Sequence, residues 1–445
     1  MARPGRRCKR SLHSFVMSRL TQWGGVLMAS SVGVGCRCET DVKTEAKVEL
    51  ERELALLDPV STLPPTTTTF CAKATKNVGV LRARSGDATG SGNIEVGTVI
   101  YRDPNWAALA LRTTQDTQAL LVVGASGGTI HEVELGRVMG SVEAPTGVWF
   151  DQSLFVVVQD SEAQSQRLQL LRVDDVFSAP RITRGPSLSI TRDDSSAVSL
   201  AVLSKTQGLL VWDDFDKSAD RSRVVGVAFD PTTLQQSRAP SALSAPDEDA
   251  EQPEIVAGST TFALSYLRLT VDPRVSQSDA LVVEPERTLY VRSLSEGGAS
   301  STAAQRISEE GEHVLGYDLN VGRDGFLFAY RSSRAGNTID GNGVALVSVG
   351  LDGALVRGQA DHDLLGPGAP VLLTLAEQPA WLLARGVDSE LLLAASFDVA
   401  GMELNLEPVL ADHIPLARSA SRLLAMKPLG LDWSLEAVTC EHPER

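Results

Sequence analysis

Apolar residues along the chain gather in short runs separated by polar, glycine-rich intervals. The sharpest case lies mid-chain. Gly208, Leu209, Leu210, Val211 and Trp212 form one run, Asp213, Asp214, Phe215 and Asp216 open a polar connection, and a second run covers 224–229. Strand, acidic turn, strand is the hairpin reading. Similar runs stand at 79–82, 94–100, 106–111, 120–123, 130–135, 147–150, 154–158, 168–173 and 197–202. They continue at 254–257, 261–267, 280–283, 288–291, 326–330, 344–349, 371–375, 381–384, 391–395, 423–426 and 435–438. Segment 130–135 alternates as a half-exposed strand does. The amphipathic runs of roughly 10–15 residues that parallel-sheet crossovers need are almost absent between these strands.

The pattern restarts near residues 102, 146, 196, 253, 314, 369 and 415. Such intervals fit four-stranded blades of roughly 40–50 residues with longer loops mid-chain. The runs within 79–100 make an incomplete unit, and so does 415–438. Together they supply one blade. The fold class is therefore all-β, a β-propeller of seven blades whose ring closes between the two ends of its body. A lone blade cannot bury both faces, whereas radial stacking buries them and leaves only short edges. A pair of β-sandwich domains is the rival arrangement.

The first 70 residues break this pattern. Arg3, Arg6, Arg7, Lys9 and Arg10 make a basic start, Met17 offers a second start, and 23–35 is uncharged. That run suits a signal-peptide core and falls short of the roughly 20 residues that cross a bilayer. Residues 1–35 thus read as a signal peptide beginning at Met1 or Met17. Gly33, Val34, Gly35 and Cys36 resemble the lipobox of bacterial lipoproteins, with Gly33 standing where Leu is usual. The resemblance implies cleavage before Cys36 and lipid on its thiol and new amine. Arg37 in place of Asp implies the outer membrane. Cleavage without lipid after a nearby small residue is the alternative.

Residues 36–70 read as a flexible tether. Val48, Leu50, Leu54 and Leu57 recur at near-helical spacing, then Pro59, Pro64, Pro65 and the threonines 66–69 impose an extended, irregular chain. The propeller occupies 71–440 and a tail 441–445. Of the five cysteines, Cys71 and Cys440 lie at the two ends of the body. A disulfide between them would lock the seam in an oxidising compartment. Cys8 and Cys36 fall in the export region, and Cys38 has no assigned partner. No histidines cluster with them to complete a zinc set.

Charge narrows the partners. The chain has 56 acidic and 41 basic residues, a net charge of -15. Such a surface repels phosphate backbones, so no nucleic acid is expected. Aromatics are 5%, so the core rests on Leu, Val and Ala.

Candidate chemistry is sparse. Asp213, Asp214, Asp216 and Asp220 crowd one loop and are calcium candidates. Their spacing lacks the central Gly and bidentate Glu of an EF-hand, and Lys217 enters the cluster. Residues 337–343 are a second calcium candidate, whose turn-forming residues turn formation explains fully. The acidic run 246–251 reads as an exposed loop between blades. His13, His131, His313, His362, His413 and His442 are scattered, without a zinc-binding pair. His362 stands between Asp361 and Asp363, a surface-loop triplet. There is no Gly-x-Ser-x-Gly elbow and no phosphate loop. No cofactor and no catalytic set are expected.

The form of an apolar strand ending in Trp212-Asp213-Asp214, a polar turn and a second strand is clearest over 208–231. Gln252-Pro253-Glu254-Ile255-Val256-Ala257 follows as the start of the next repeat. It resembles the propeller repeats of predicted secreted lipoproteins from myxobacteria-like organisms. The resemblance implies an exported propeller. The functional expectation is a non-enzymatic binding or scaffold propeller, anchored at the cell envelope by its N-terminal lipid, with a protein or glycan partner. Release as a secreted protein is the alternative address. The alternative function is a hydrolase or lyase with its site in the central channel, which requires polar side chains converging from several blades. Metabolic labelling with a lipid precursor is expected to mark the wild-type protein and leave Cys36→Ala unmarked. Equal labelling of both excludes Cys36 as the anchor.

Overall fold

In the computed structural model the described residues are 70–83, 92–114, 116–138, 143–162, 165–190, 197–270, 286–295, 297–299, 302–322, 325–334, 343–360, 365, 368–375, 380–386, 390–396, 403–404 and 407–441. The signal peptide, nearly all of the tether with Cys36, most of the tail, the stretch 280–283, most of 337–343 and the Asp361-His362-Asp363 triplet lie outside them.

The described residues form 29 strands in seven sheets. Each sheet is a blade. The inner strands of blades I to VII are Asn93–Arg102, Thr146–Phe150, Val198–Ser204, Asp249–Ala257, Glu312–Val321, Val371–Leu373 and Ile414–Arg418. Consecutive inner strands are neighbours around the ring, and that of blade VII lies beside that of blade I. The fold is a seven-bladed β-propeller.

The burial pattern follows from this stacking. Central strands such as Asn105–Thr113 are buried on both faces and read as unbroken apolar runs. The outer strand His131–Val138 is mostly exposed, with burial confined to isolated positions. Apolar side chains collect between blades. Phe155, Val157, Leu168 and Leu170 of blade II pack with Leu200, Leu210, Trp212 and Phe229 of blade III. Parallel clusters join I with II, III with IV, IV with V, and V with VI. The largest runs from VI through VII to I. A buried Leu or Phe at these interfaces contributes roughly 1.5–3 kcal/mol, and no blade obtains that burial alone.

The ring closes by pairing the first strand with the last. Phe70–Leu81 lies antiparallel to Asp432–Glu441, with Cys71 opposite Cys440 and Leu81 opposite Trp433. Cys71 and Cys440 are disulfide-bonded. Two indoles then stitch blade VII to blade I. Trp106 Nε1–H donates to the Val78 carbonyl at 3.1 Å, and Trp433 Nε1–H to that of Ile94 at 3.1 Å. Trp106 fits only because Gly79 and Gly124 flank its ring; a Cβ at either would stand 2.4 Å from it. At the disulfide's end of the seam Arg422 pairs with Asp103 at 2.7 Å.

One expectation changes. The first blade begins at Asn93, not near residue 102, and only the strand from Phe70 joins blade VII. The reason is local. Asn93–Arg102 is joined to Asn105–Thr113 by a two-residue turn and pairs with it directly. A short turn makes those two strands sheet neighbours, so 94–100 cannot serve the closing blade. Blade V also carries a fifth strand, Glu403–Leu404, that pairs in parallel with Leu355–Ala360. It comes from the last connection of blade VI and straps V to VI.

Because the first strand starts where the last one ends, both chain ends leave from one face of the ring, here the lower face. The connections between blades lie on the upper face. Replacing Cys71 and Cys440 together by Ser is expected to lower unfolding stability by about 2–5 kcal/mol, read from a urea melt. An unchanged midpoint would show that strand pairing alone holds the seam.

Candidate functional site

The inner strand of each blade has one free edge, and that edge faces the axis. Its backbone groups need partners. At four of the interfaces a side chain of one inner strand accepts an N–H from the next. Thr98 Oγ1 takes that of Gly147 at 2.9 Å, and Ser199 Oγ that of Ile255 at 3.1 Å. Glu254 Oε2 takes that of Leu319 at 2.8 Å, and Asp318 Oδ2 that of Leu372 at 2.8 Å. The four occupy equivalent places in blades I, III, IV and V, so a polar stair runs around part of the channel wall.

The stair makes the channel two-sided. Blades III to V contribute Ser199, Glu251, Glu254, His313, Asp318 and Asn320 from their inner strands. The inner strands of blades VI and VII carry the half-buried Val371, Leu373 and Leu416, with Arg418 at the lower end, while Leu372, Ile414 and Ala417 are buried in the cores between blades. Arg418 lies over the Trp381 ring at 3.9 Å, and burial pushes its guanidinium down to about 10. Near the upper mouth Glu251 Oε1 pairs with Arg287 Nε at 3.0 Å, and the Arg287 backbone N–H donates to His313 Nδ1 at 3.2 Å.

The acidic sequence cluster divides. Asp213 and Asp214 belong to the strand Gln207–Asp216, and Arg221 already opens the next strand. The connection is therefore much shorter than the polar stretch suggests. Asp213 is fully buried. Its Oδ1 accepts the Ala197 N–H at 2.9 Å, and its Oδ2 the Gln252 N–H of blade IV at 3.1 Å. Asp214 bonds the N–H of Phe215. Asp216 caps the turn through Ser218 and pairs with Arg223 at 2.9 Å. Those hydrogen bonds, led by Ser218, hold its carboxyl below the usual range. Asp220 is a turn residue with φ 53°. The four carboxyls point to separate tasks. Among the described residues no three His, Cys, Asp or Glu side chains gather to hold a metal. Trp212 is buried against blade II, and Asp213 is an internal clamp, not a wet edge.

The acidic run 246–251 also differs from its expectation. It does connect blades, yet Glu248 and Glu251 are buried. Glu248 Oε2 accepts the Ala245 N–H at 2.8 Å and the Tyr266 hydroxyl at 3.1 Å. One blade on, Glu312 Oε2 accepts the Glu309 N–H at 2.7 Å and the Tyr330 hydroxyl at 2.8 Å. Ser244 and Ser308 cap the N–H groups of Val224 and Leu289 at 3.1 Å each. Burial, then the nearby carboxylate, pushes both phenols well above their usual range, so they stay donors. A signal for this pair was present in the sequence: Ser, then Glu four positions on, then Tyr 18 residues after the Glu, twice.

The described histidines, His131, His313 and His413, sit in different blades. His131 is exposed on an outer strand, and His413 bonds Glu436 at 3.2 Å in blade VII. Burial works upward on Glu436, but bonds from Thr75 and His413 hold it below the usual range.

No protein-family model matches the chain, and no curated protein matches it in sequence. Solved structures do match in shape. The polysaccharide lyase Uly1 aligns at 9% identity over 78% of this chain and 90% of its own, with a TM-score of 0.50. The chain folds as a propeller of that general kind. The propeller domain of the Trilobed protease from Pyrococcus furiosus aligns at 7% identity over 79% and 96%, TM-score 0.44. The GH43 endo-arabinanase from Bacillus licheniformis aligns at 12% over 58% and 95%, TM-score 0.35. At these identities the likeness is one of fold.

Asp213→Ala is expected to cost about 2–4 kcal/mol, since two buried N–H groups lose their acceptor. Asp214→Ala is expected to cost far less. Millimolar calcium should leave the thermal midpoint unchanged, and a calcium-dependent rise abolished by Asp216→Ala would restore the loop as a metal site.

Proposed function

We propose that this protein is an exported, envelope-anchored propeller that binds a glycan at the upper mouth of its channel without cleaving it. The signal-like run 23–35, Cys36 and the linker 36–70 support export and anchoring. The chain enters the ring at Cys71 on the lower face, so an anchor ahead of it leaves the upper mouth open.

The observation that carries the binding reading is the two-sided channel wall. Sugars offer hydroxyls along their edges and C–H groups on their faces. Carboxylates, Asn and backbone groups suit the first, and apolar side chains the second. Ser199, Glu254 and Asn320 of blades III to V offer the first, and the half-buried Val371, Leu373 and Leu416 of blades VI and VII the second. Net charge of -15 favours a neutral or cationic glycan over a polyanion.

A second reading is cleavage. Glu254 and Asp318 stand on adjacent inner strands, and two carboxyls across a sugar bond can serve as acid and base. Both are already engaged in holding the next blade at 2.8 Å, which favours binding over turnover. The polysaccharide lyase above shares the fold, not a demonstrated site.

The full chain should be tested for retention on, and product release from, a panel of soluble arabinan, xylan, dextran and β-glucan. Retention without product is the expected result. Product formation lost in both Glu254→Gln and Asp318→Asn would establish the second reading. Neither retention nor product would overturn the glycan reading.

A further inference from the structure

Six non-glycine residues among those described have positive φ, and five of them lie in turns or loops. Gln252 is the exception. It has φ 51° in the middle of the blade IV inner strand Asp249–Ala257. Glutamine has no local hydrogen bond that eases this conformation, as Asn and Asp do, so the position is strained. The strand bulges there: Glu251 pairs with Leu267 and Glu254 with Ser265, leaving Gln252 and Pro253 outside the ladder.

Two other blades hold the strained residue in place. Asp213 of blade III, fully buried, accepts its N–H at 3.1 Å. Tyr317 of blade V, itself buried, donates its hydroxyl to the Gln252 carbonyl. The backbone is thus fixed from both sides, while the side chain stays half-exposed. Its neighbours in sequence are Glu251, ion-paired to Arg287, and Glu254 on the polar stair. Strain that the surroundings over-determine, at a bulge on a channel-lining strand, is a pattern found where a side chain must be aimed.

We infer that Gln252 is the residue through which the channel mouth reads its ligand, with its amide donating to one hydroxyl and accepting from another on a neutral glycan. This assignment rests on the glycan-binding reading above. A carboxamide offers both roles without charge, which matches vicinal hydroxyls and not a carboxylate or phosphate.

Gln252→Gly removes the amide and suits the backbone, so it separates the two roles. Glycine adopts the positive φ without strain; the variant should melt at the wild-type temperature or about 1–3 °C above it. Its retention on the polysaccharide that wild type binds best should fall at least about tenfold, in the range a lost buried hydrogen-bonding group produces. Gln252→Asn, shorter by one methylene, should melt like the glycine variant and bind weakly. A melting temperature lowered by more than about 3 °C in both variants would make Gln252 a structural residue and overturn the inference. Wild-type retention by the glycine variant would overturn it too, while leaving glycan binding itself intact. If wild type binds none of the four polysaccharides, both readings fall together.

Discussion

Everything in this molecule depends on closing a ring of sheets that cannot stand singly. Each blade buries its two faces only against its neighbours, so a gap at one interface would expose two apolar faces at once. The closure rests on one antiparallel pairing, Phe70–Leu81 on Asp432–Glu441. The Cys71–Cys440 bond holds that pairing covalently, and Trp106 and Trp433 fasten it to blade I through their indole N–H groups. The same pairing decides on which face of the ring Phe70 and Glu441 lie.

The axis poses the complementary problem. Inner strands have unpaired backbone on the channel side, and buried polar groups must find partners. Thr98, Ser199, Glu254 and Asp318 answer this by reaching to the next blade. Asp213 and Tyr317 do so on either side of Gln252. Ring integrity therefore draws on polar side chains that line the channel in blades III to V. That role commits Glu254 and Asp318 to holding the next blade, and the strained Gln252 backbone joins blades III and V in the same way.

Much of the fold was legible because strands and turns have local signatures. Central strands of a blade are buried on both sides, so runs such as Leu120 to Val123 announce themselves. The blade spacing and the Cys71–Cys440 closure followed from repeat length and the position of cysteines at the ends. The first boundary differs because Asp103-Pro104 forms a tight turn that pairs the strands on either side of it within one blade. The site was not legible. Asp213 and Asp216 are the same residue type three positions apart, yet one is a buried clamp and the other a turn cap. Nothing local distinguishes them, since the clamp's partners Ala197 and Gln252 come from other parts of the chain. The bulge at Gln252 is likewise set by blades III and V, not by its own sequence.

Hydrogen exchange of the full chain, with and without a retained polysaccharide, tests the central claim most directly. New protection is expected only in the inner strands Asp249–Ala257 and Glu312–Val321 and in the facing strand Ile414–Arg418. Protection on the lower-face turns, or on outer strands such as His131–Val138, with none at the channel mouth would contradict it.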